Sequence, residues 1–462
     1  MHIIDDYIFD TDRLIFYKKD LPSLIKQQIQ DRISVSDKYK ELIAGLNKLD
    51  ASKRSAQNRP IDLVGVCLTY NCPLRCNYCS YSSCSGNIDC LTTEDVLAFV
   101  VQAIKKRTMY NMAAANKRVE PLRFFFTGGG EPTYNWRLFK ETVEAIKDKC
   151  EEYHIPYYFE LTTNGMINVH QRDFIKANFH KVMVSYDGLP EIQNRNRPCA
   201  NQQKPSCAVV EETIKEFIQS SLNVTVRSTV WHYDFERLKE MYDNLANNFN
   251  HFNEWSIMPI IPSGRALEGN DIEQRYDINE YNFFDYYIDL VDYAKKKDYA
   301  LYISTPVFNN TVAEYCCGAT FVDCFWLMPD KSIINCIEAE RFRVEVGKFA
   351  NQNVEIYNQY EDPQLEIVKS SFINCKNCLA YRFCKGGCPL KSIRDRHFGT
   401  NYKQYECSMV RQYWTYVFRK VLNGDECFGW QAEKVKDHQI EPYNVLKLVN
   451  KKEVDCKIKL DT

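Results

Sequence analysis

The sequence predicts an α/β protein built on a mostly parallel sheet and followed by a cysteine-rich segment. From residue 62 onward, short β-rich runs alternate with helical patterns in six successive units, the rhythm of strands joined by crossover helices. After residue 305 that rhythm stops, and cysteine density rises between Cys316 and Cys407. The 462 residues are 45% apolar and 13% aromatic, enough to fill a sizeable core in two or three domains.

The elements follow in order. YIFDTDRLIFY (7–17) reads as a small hairpin, LPSLIKQQIQDRI (21–33) and DKYKELIAGLNKL (37–49) as helices, and DASKRSAQNRP (50–60) as a polar linker closed by proline. Strands are expected over 62–70, 122–129, 156–164, 181–188, 223–230 and 253–260. Between them, helices carry apolar stripes over 92–107, with Thr92 or Thr93 as cap, and over 136–149, 206–220 and 235–248. Right-handed crossovers make the sheet parallel, and six units suit either an open barrel or a doubly wound sheet. Periodicity does not choose between them. The segment after 305, with few regular elements and many soft ligands, is expected to be held by metal more than by an apolar core. A helix over 409–422 and a partly extended tail close the chain. The expected domains are 1–60, 61–305, 306–410 and 411–462.

A formal net charge of -2 creates no field toward nucleic acid or an anionic membrane. The basic runs AIKKR (103–107) and AKKK (294–297) read as solvated helix faces. No basic-then-apolar N-terminus and no apolar run of about 18 residues occurs, so a cytoplasmic protein is expected. Twenty cysteines in a reducing compartment point to metal ligation, not to disulfides. Some are ordinary small buried side chains.

Residues 72–79 read CPLRCNYC, with Cys72, Cys76 and Cys79 in one loop directly after the first strand of the alternating region. In a β/α barrel that is the face where active sites gather. Zinc sites and electron-transfer iron-sulfur cubes ordinarily take four protein ligands. A cube held by three thiolates keeps one iron open. Structural zinc with Cys84 or Cys90 as fourth ligand is the alternative. Three further stretches stand at strand ends: TGGGEP (127–132), LTTNG (161–165) and SYDG (185–188), the last followed by PEIQNRNRP. Glycines there allow close approach to the backbone, although each alone is also an ordinary turn.

Together these residues resemble the radical S-adenosylmethionine (SAM) enzymes. The resemblance implies a partial (β/α)6 TIM-type barrel and a 4Fe-4S cluster on Cys72, Cys76 and Cys79 whose open iron takes SAM. It also implies cofactor contacts: Gly128, Gly129, Gly130 and Glu131 at the methionyl end, Asn164 at the end of the third strand, and Ser185, Asp187 and Arg197 toward ribose and carboxylate. An electron from the cluster would split SAM, and the resulting radical would take a hydrogen atom from substrate.

From Cys375 the chain reads CKNCLAYRFCKGGC, with Cys407 nineteen residues beyond the last cysteine and Cys317, Cys324 and Cys336 upstream. This resembles the iron-sulfur-stabilised SPASM extension of radical SAM enzymes, which implies two auxiliary 4Fe-4S clusters. Cys317, Cys324, Cys336 and Cys388 would hold the first, and Cys375, Cys378, Cys384 and Cys407 the second. Cys316 is a candidate for the place of Cys317. Paired zinc ribbons are the alternative. The SPASM pattern usually has glycine five residues before its second cysteine; here Lys331 stands there, which weakens the expectation of a tight turn. The resemblance spans roughly 62–410.

SPASM proteins mostly modify peptides. The implied function is a maturase that crosslinks a ribosomally made precursor peptide through a C-C cyclophane or thioether bond, with net two-electron oxidation. A flavodoxin- or ferredoxin-type protein would donate electrons; neither nucleic acid nor membrane is expected as partner. The alternative is an anaerobic sulfatase-maturating enzyme, which oxidises Cys or Ser to formylglycine. Those enzymes carry an aspartate base directly after the second SPASM cysteine, where this chain has Ile337 and then Glu338, the one catalytic candidate. A cluster-bearing scaffold or peptide-binding protein is the non-enzymatic reading. The first 60 residues either recognise a leader peptide by strand addition or cap the barrel.

Overall fold

The chain opens with three short antiparallel strands, β1 (His2–Ile4), β2 (Tyr7–Asp10) and β3 (Ile15–Lys18), so the expected hairpin is present. Six strands then follow: β4 (Leu63–Val66), β5 (Leu122–Phe126), β6 (Tyr157–Thr163), β7 (Lys181–Ser185), β8 (Asn223–Val230) and β9 (Glu254–Pro259). Each pairs in parallel with the next. All six lie inside the runs expected from sequence. The computed structural model describes residues 2–10, 15–18, 63–83, 86, 91–113, 121–201, 205–249, 252–261, 263–267, 282–297, 301–308, 324–334, 336–337, 345–350, 353–356, 375, 377–428, 430–437 and 440–448. The helices expected over 21–33 and 37–49, the linker 50–60, Cys84, Cys90, Cys316, Cys317 and Glu338 lie outside them.

The crossovers are α1 (Thr93–Ala113), α2 (Trp136–Glu152), α3 (Val169–Asn178), α4 (Pro190–Asn196), α5 (Cys207–Ile218) and α6 (Leu238–Asn248). Thr92 caps α1: its hydroxyl accepts from Asp95 N–H while its own N–H donates to the Asp95 carboxylate. The period of two divides the strands cleanly. Phe124, Phe126, Phe159, Val182, Val184, Val224, Val226 and Trp255 are all buried; Phe126 meets Phe139 of α2 at 5.4 Å. The alternate residues are mixed, with Phe125 and Met183 among them, and the charged ones pair with one another. Arg123 Nε donates to Glu160 at 2.6 Å, and Lys181 lies 4.0 Å from Glu254. The sheet therefore has one oily face under helices and one face that carries paired charges beside apolar residues such as Phe125.

One further strand follows a helix before 305, and beyond it the sheet is continued, among the described residues, by strands without crossover helices. β10 (Ile303–Ser304) adds in parallel beside β9, and β11 (Cys324–Leu327) in parallel beside β4. β12 (Ser332–Ile334), β13 (Glu345–Ala350) and β14 (Asn353–Ile356) extend it antiparallel to eleven strands. Trp326 of β11 fills the space left by Gly65 of β4, where a Cβ would fall 1.9 Å from the indole. The turn between β11 and β12 closes although no glycine is present: Lys331 takes φ 66°, and its ammonium pairs with Asp95 at 2.8 Å.

The C-terminal half has its own apolar filling, more than the sequence reading allowed. α7 (Phe283–Ala294), α8 (Tyr381–Cys384), α9 (Pro389–Phe398) and α10 (Tyr402–Leu422) lead to the hairpin β15 (Trp430–Asp437) and β16 (Ile440–Leu448). Along α10, Met409, Val410, Tyr413, Trp414, Val417, Phe418 and Val421 are buried; Trp414 stacks on Phe383 at 3.5 Å. β16 pairs antiparallel with β3, so both ends of the chain share one five-stranded sheet. Phe9 and Phe16 close on Phe418 at 4.3 and 5.4 Å. Phe418→Ala should therefore destabilise by about 3–5 kcal/mol, read as a lower urea midpoint; an unchanged midpoint would show that this sheet is not docked on α10.

Candidate active site

Four parallel strands end on one face, and their loops meet there. β4 leads into the three-cysteine loop, β5 into TGGGEP, β6 into LTTNG and β7 into SYDG. Main-chain bonds stitch the first two loops together: Gly130 N–H donates to Thr69 O at 2.9 Å and Glu131 N–H to Asn71 O at 2.8 Å. A Cβ on Gly130 would lie 2.0 Å from Asn71 O, so no side chain fits. On its other side the cysteine loop runs along the chain that follows α4. Arg75 N–H donates to Pro198 O, Asn77 N–H to Asn196 O, and Ala200 N–H to Pro73 O.

Side chains then fix the cysteines individually. Asn164 directs its amide at Cys72 Sγ, 3.6 Å away. Tyr78, just before the last cysteine, donates its hydroxyl to Asp187 Oδ2 at 2.5 Å. Arg197 grips Asp187 Oδ1 with Nε and Nη2, both at 3.1 Å, and Thr229 N–H donates to the same oxygen. Tyr78, Asp187 and Arg197 are all buried, and the guanidinium lies 5.2 Å from the Tyr78 ring centre. Ser185 is the last residue of β7 and is half-buried. Trp231, one residue past β8, donates from its indole to Asn77 at 3.2 Å. Arg265, in the turn Gly264–Leu267 after β9, donates to Cys76 O at 2.7 Å and Ser83 O at 3.0 Å.

Electrostatics sharpen the picture. Burial pushes the Cys72 thiol well above its ordinary value, with Cys76 and Glu131 adding to the shift. Burial likewise pushes Cys76 up to about 11, against the pull of Arg197 and Arg265. Thiols held this way ionise only where a cation compensates them. Three thiol donors on one loop, with no histidine among them, suit an iron-sulfur core. Among the described residues no three His, Cys, Asp or Glu side chains close around one point as a single ion demands; a four-iron core takes its thiolates at separate corners, a different requirement.

Glu131 accepts from Asn164 N–H at 2.7 Å and from the hydroxyls of Thr133 and Thr163 at 2.8 and 2.9 Å. Burial nevertheless raises its carboxyl above the ordinary 4.5, against those bonds. The native state thus binds this proton more tightly than the unfolded chain. The resulting stability is full below 4.5 and is lost as pH rises through the raised value. Glu131→Gln, which cannot titrate, serves as reference: the wild-type minus variant stability from urea titrations should fall with pH across that window, and a flat difference would refute the shift.

Farther along, Cys384 ends α8, Cys388 caps α9 and Cys407 lies on α10. Lys385, Gly386 and Gly387 all take positive φ, which reverses the chain between Cys384 and Cys388. Burial and then Cys407 raise Cys375, while burial pushes Cys384 up to about 11 with Cys407 and Cys378 contributing and Lys403 opposing. The four expected ligands of the second auxiliary cluster thus sense one another. Of the first set, Cys336 packs in one cluster with Cys67, Ile334 and Leu390, two residues past Cys388, and Cys324 opens β11. Ile337 lies against the cofactor-loop glycines, its Cδ1 2.2 Å from where a Gly128 Cβ would stand. Sequence reasoning missed Arg265, Trp231 and this place for Ile337. Their only signal was position, just past a strand end.

A profile of the Radical SAM superfamily matches residues 66–245, the stretch that carries these loops. The chain is a radical SAM enzyme, with a radical SAM 4Fe-4S cluster and SAM as its cofactors. Over roughly four-fifths of its length it resembles SPASM-type maturases. The Cysteine-type anaerobic sulfatase-maturating enzyme of Clostridium novyi (strain NT) is 23% identical over 346 residues, 72% of this chain and 88% of the relative. Among solved structures, native anSMEcpe with bound AdoMet and Cp18Cys peptide matches at TM-score 0.57 and 21% identity, covering 78% of this chain and 98% of that one. Streptococcus suis SuiB bound to precursor peptide SuiA matches at TM-score 0.52 and 16% identity, covering 85% and 97%. These likenesses establish the fold, a partial barrel with a cysteine-rich C-terminal region. Among the described residues no helix is long and apolar enough to cross a membrane.

Proposed function

We propose that this enzyme is a maturase that oxidises a side chain of a peptide or protein by two electrons. The carrying observation is the three-cysteine loop, docked by main chain onto TGGGEP and by Asn164, Tyr78 and Arg265 onto the ends of three other strands. Cys72, Cys76 and Cys79 hold the SAM-binding cluster. Gly128, Gly129, Gly130, Glu131 and Asn164 shape the cofactor site beside it, with Ser185 at its rim. Asp187 and Arg197, with polar atoms committed to each other and to Tyr78 and Thr229, serve the same site by fastening the loop. When bound, the cluster and SAM supply the electron and the 5'-deoxyadenosyl radical that takes a hydrogen atom. Cys324, Cys336 and Cys388 with Cys317 or Cys316, and Cys375, Cys378, Cys384 and Cys407, would hold two auxiliary clusters, which would supply an acceptor for the second electron.

Likeness to the clostridial relatives favours conversion of Cys or Ser to formylglycine, ahead of the crosslinking expected from sequence. One observation favours crosslinking: Ile337, not an acid, follows Cys336 and lies against Gly128. Reconstituted enzyme, SAM and reductant should be incubated with a sulfatase-type Cys peptide and, separately, with any small peptide encoded beside this gene. Exchange of the thiol sulfur for oxygen together with loss of two hydrogens reports formylglycine. Loss of two hydrogens alone from the neighbouring peptide reports a crosslink. Deoxyadenosine formed with both peptides unchanged would refute the maturase reading. Glu338→Gln with full activity would remove Glu338 as a base.

A further inference from the structure

Two guanidinium groups approach the three-cysteine loop, and they differ in kind. Arg197 is paired with the Asp187 carboxylate. The described side-chain bonds of Arg265 go instead to carbonyl oxygens: Nε to Cys76 O at 2.7 Å and both Nη atoms to Ser83 O at 3.0 Å. Its main-chain N–H donates to Cys79 O at 3.1 Å. One residue thus holds two of the three expected ligands by their carbonyls, together with the chain that leaves the loop. Ala266, the next residue, packs with Tyr78, Trp231 and Ile260, and Cys76 packs against the same group, so the turn is anchored by apolar contact as well.

We propose that Arg265 is a positioning residue for the radical SAM cluster: it shapes the loop before iron arrives, and its charge, left unmatched by a carboxylate in these bonds, makes the cluster easier to reduce. The inference rests on reading residues 72–79 as the cluster loop. A planar fork that donates in two directions suits this task, and a lysine ammonium, which keeps the charge, cannot reproduce it. The electrostatic half follows from sign. A cubane gains negative charge on reduction, and a nearby cation in a site of low effective dielectric favours the more negative state.

The test compares full-length wild type, Arg265→Lys and Arg265→Gln. In the iron-free chains, hydrogen exchange at amides 76–83 should quicken about tenfold in both variants. After anaerobic reconstitution, the reduction midpoint is followed on the electron-paramagnetic signal that changes when SAM is added. In Arg265→Gln the reduced-to-oxidised ratio at a fixed potential should fall about tenfold, a midpoint lower by about 59 mV for a one-electron couple. Arg265→Lys should keep the wild-type midpoint. Unchanged exchange in both variants overturns the positioning role. An unchanged midpoint in Arg265→Gln, or an equal fall in both variants, overturns the electrostatic one. If wild type itself binds no iron, the reading of the loop fails, while the exchange measurement still decides whether Arg265 orders it.

Discussion

Asp187→Ala is expected to be among the most damaging single substitutions in this chain. The carboxylate takes the Tyr78 hydroxyl on one oxygen and Arg197 with Thr229 N–H on the other. All three side chains are buried, so its removal strands a guanidinium without a counter-charge. Breaking a buried pair from one side costs about 3–5 kcal/mol, on the order of 10 °C in melting temperature at about 2–4 °C per kcal/mol. The cysteine loop should also lose its tie to β7, so iron content after reconstitution should drop with stability. Removing both charges, as Asp187→Leu with Arg197→Met, should recover part of the melting temperature, because no unpaired ion remains. A double variant no more stable than Asp187→Ala would show that Tyr78 and Thr229, not the ion pair, carry the effect.

Gly130→Ala is the second severe change, for a reason of space. Its Cβ would stand 2.0 Å from a backbone carbonyl, and that carbonyl, Asn71 O, accepts from Glu131 N–H. The methyl cannot be accommodated by a rotamer change, because the obstacle is main chain. Loop separation should cost about 1–3 kcal/mol and, more tellingly, weaken SAM binding at least about tenfold, since a small displacement at a positioned site is amplified. Equilibrium dialysis with labelled SAM measures this. Wild-type affinity in the variant would mean that the two loops need not touch.

The parallel core was legible because its strands are continuous β-branched and aromatic runs. LRFFF and NVTVRSTV can hardly be anything else between helical stripes. Elements stabilised by partners were not legible. The helix Val169–Asn178 has few apolar residues. It is held by a capping box from Asn168 and Gln171 and by Arg172 reaching Glu212 and Glu216. The strand Ile303–Ser304 has two residues and exists through its register with Trp255 and Ser256, which local sequence cannot reveal. The C-terminal segment looked metal-held because cysteines outweigh strands there, yet Phe383, Trp414 and Phe418 also give it an aromatic core. At the site, ligand spacing carried the cysteines. Pairings at long sequence separation did not show: Asp187 with Tyr78, or Arg265 with Cys76, needs the fold to bring strand ends together.

The sheet shared by His2–Lys18 and Trp430–Leu448 has a consequence for synthesis. Strands β1–β3 receive this neighbour only when synthesis has gone on to residues 440–448. Phe9 and Phe16 wait for Phe418 while the whole parallel sheet is made, and unburied aromatic groups on a nascent chain invite chaperones or aggregation. A stop placed before residue 440 would therefore unsettle residues 2–18 as well.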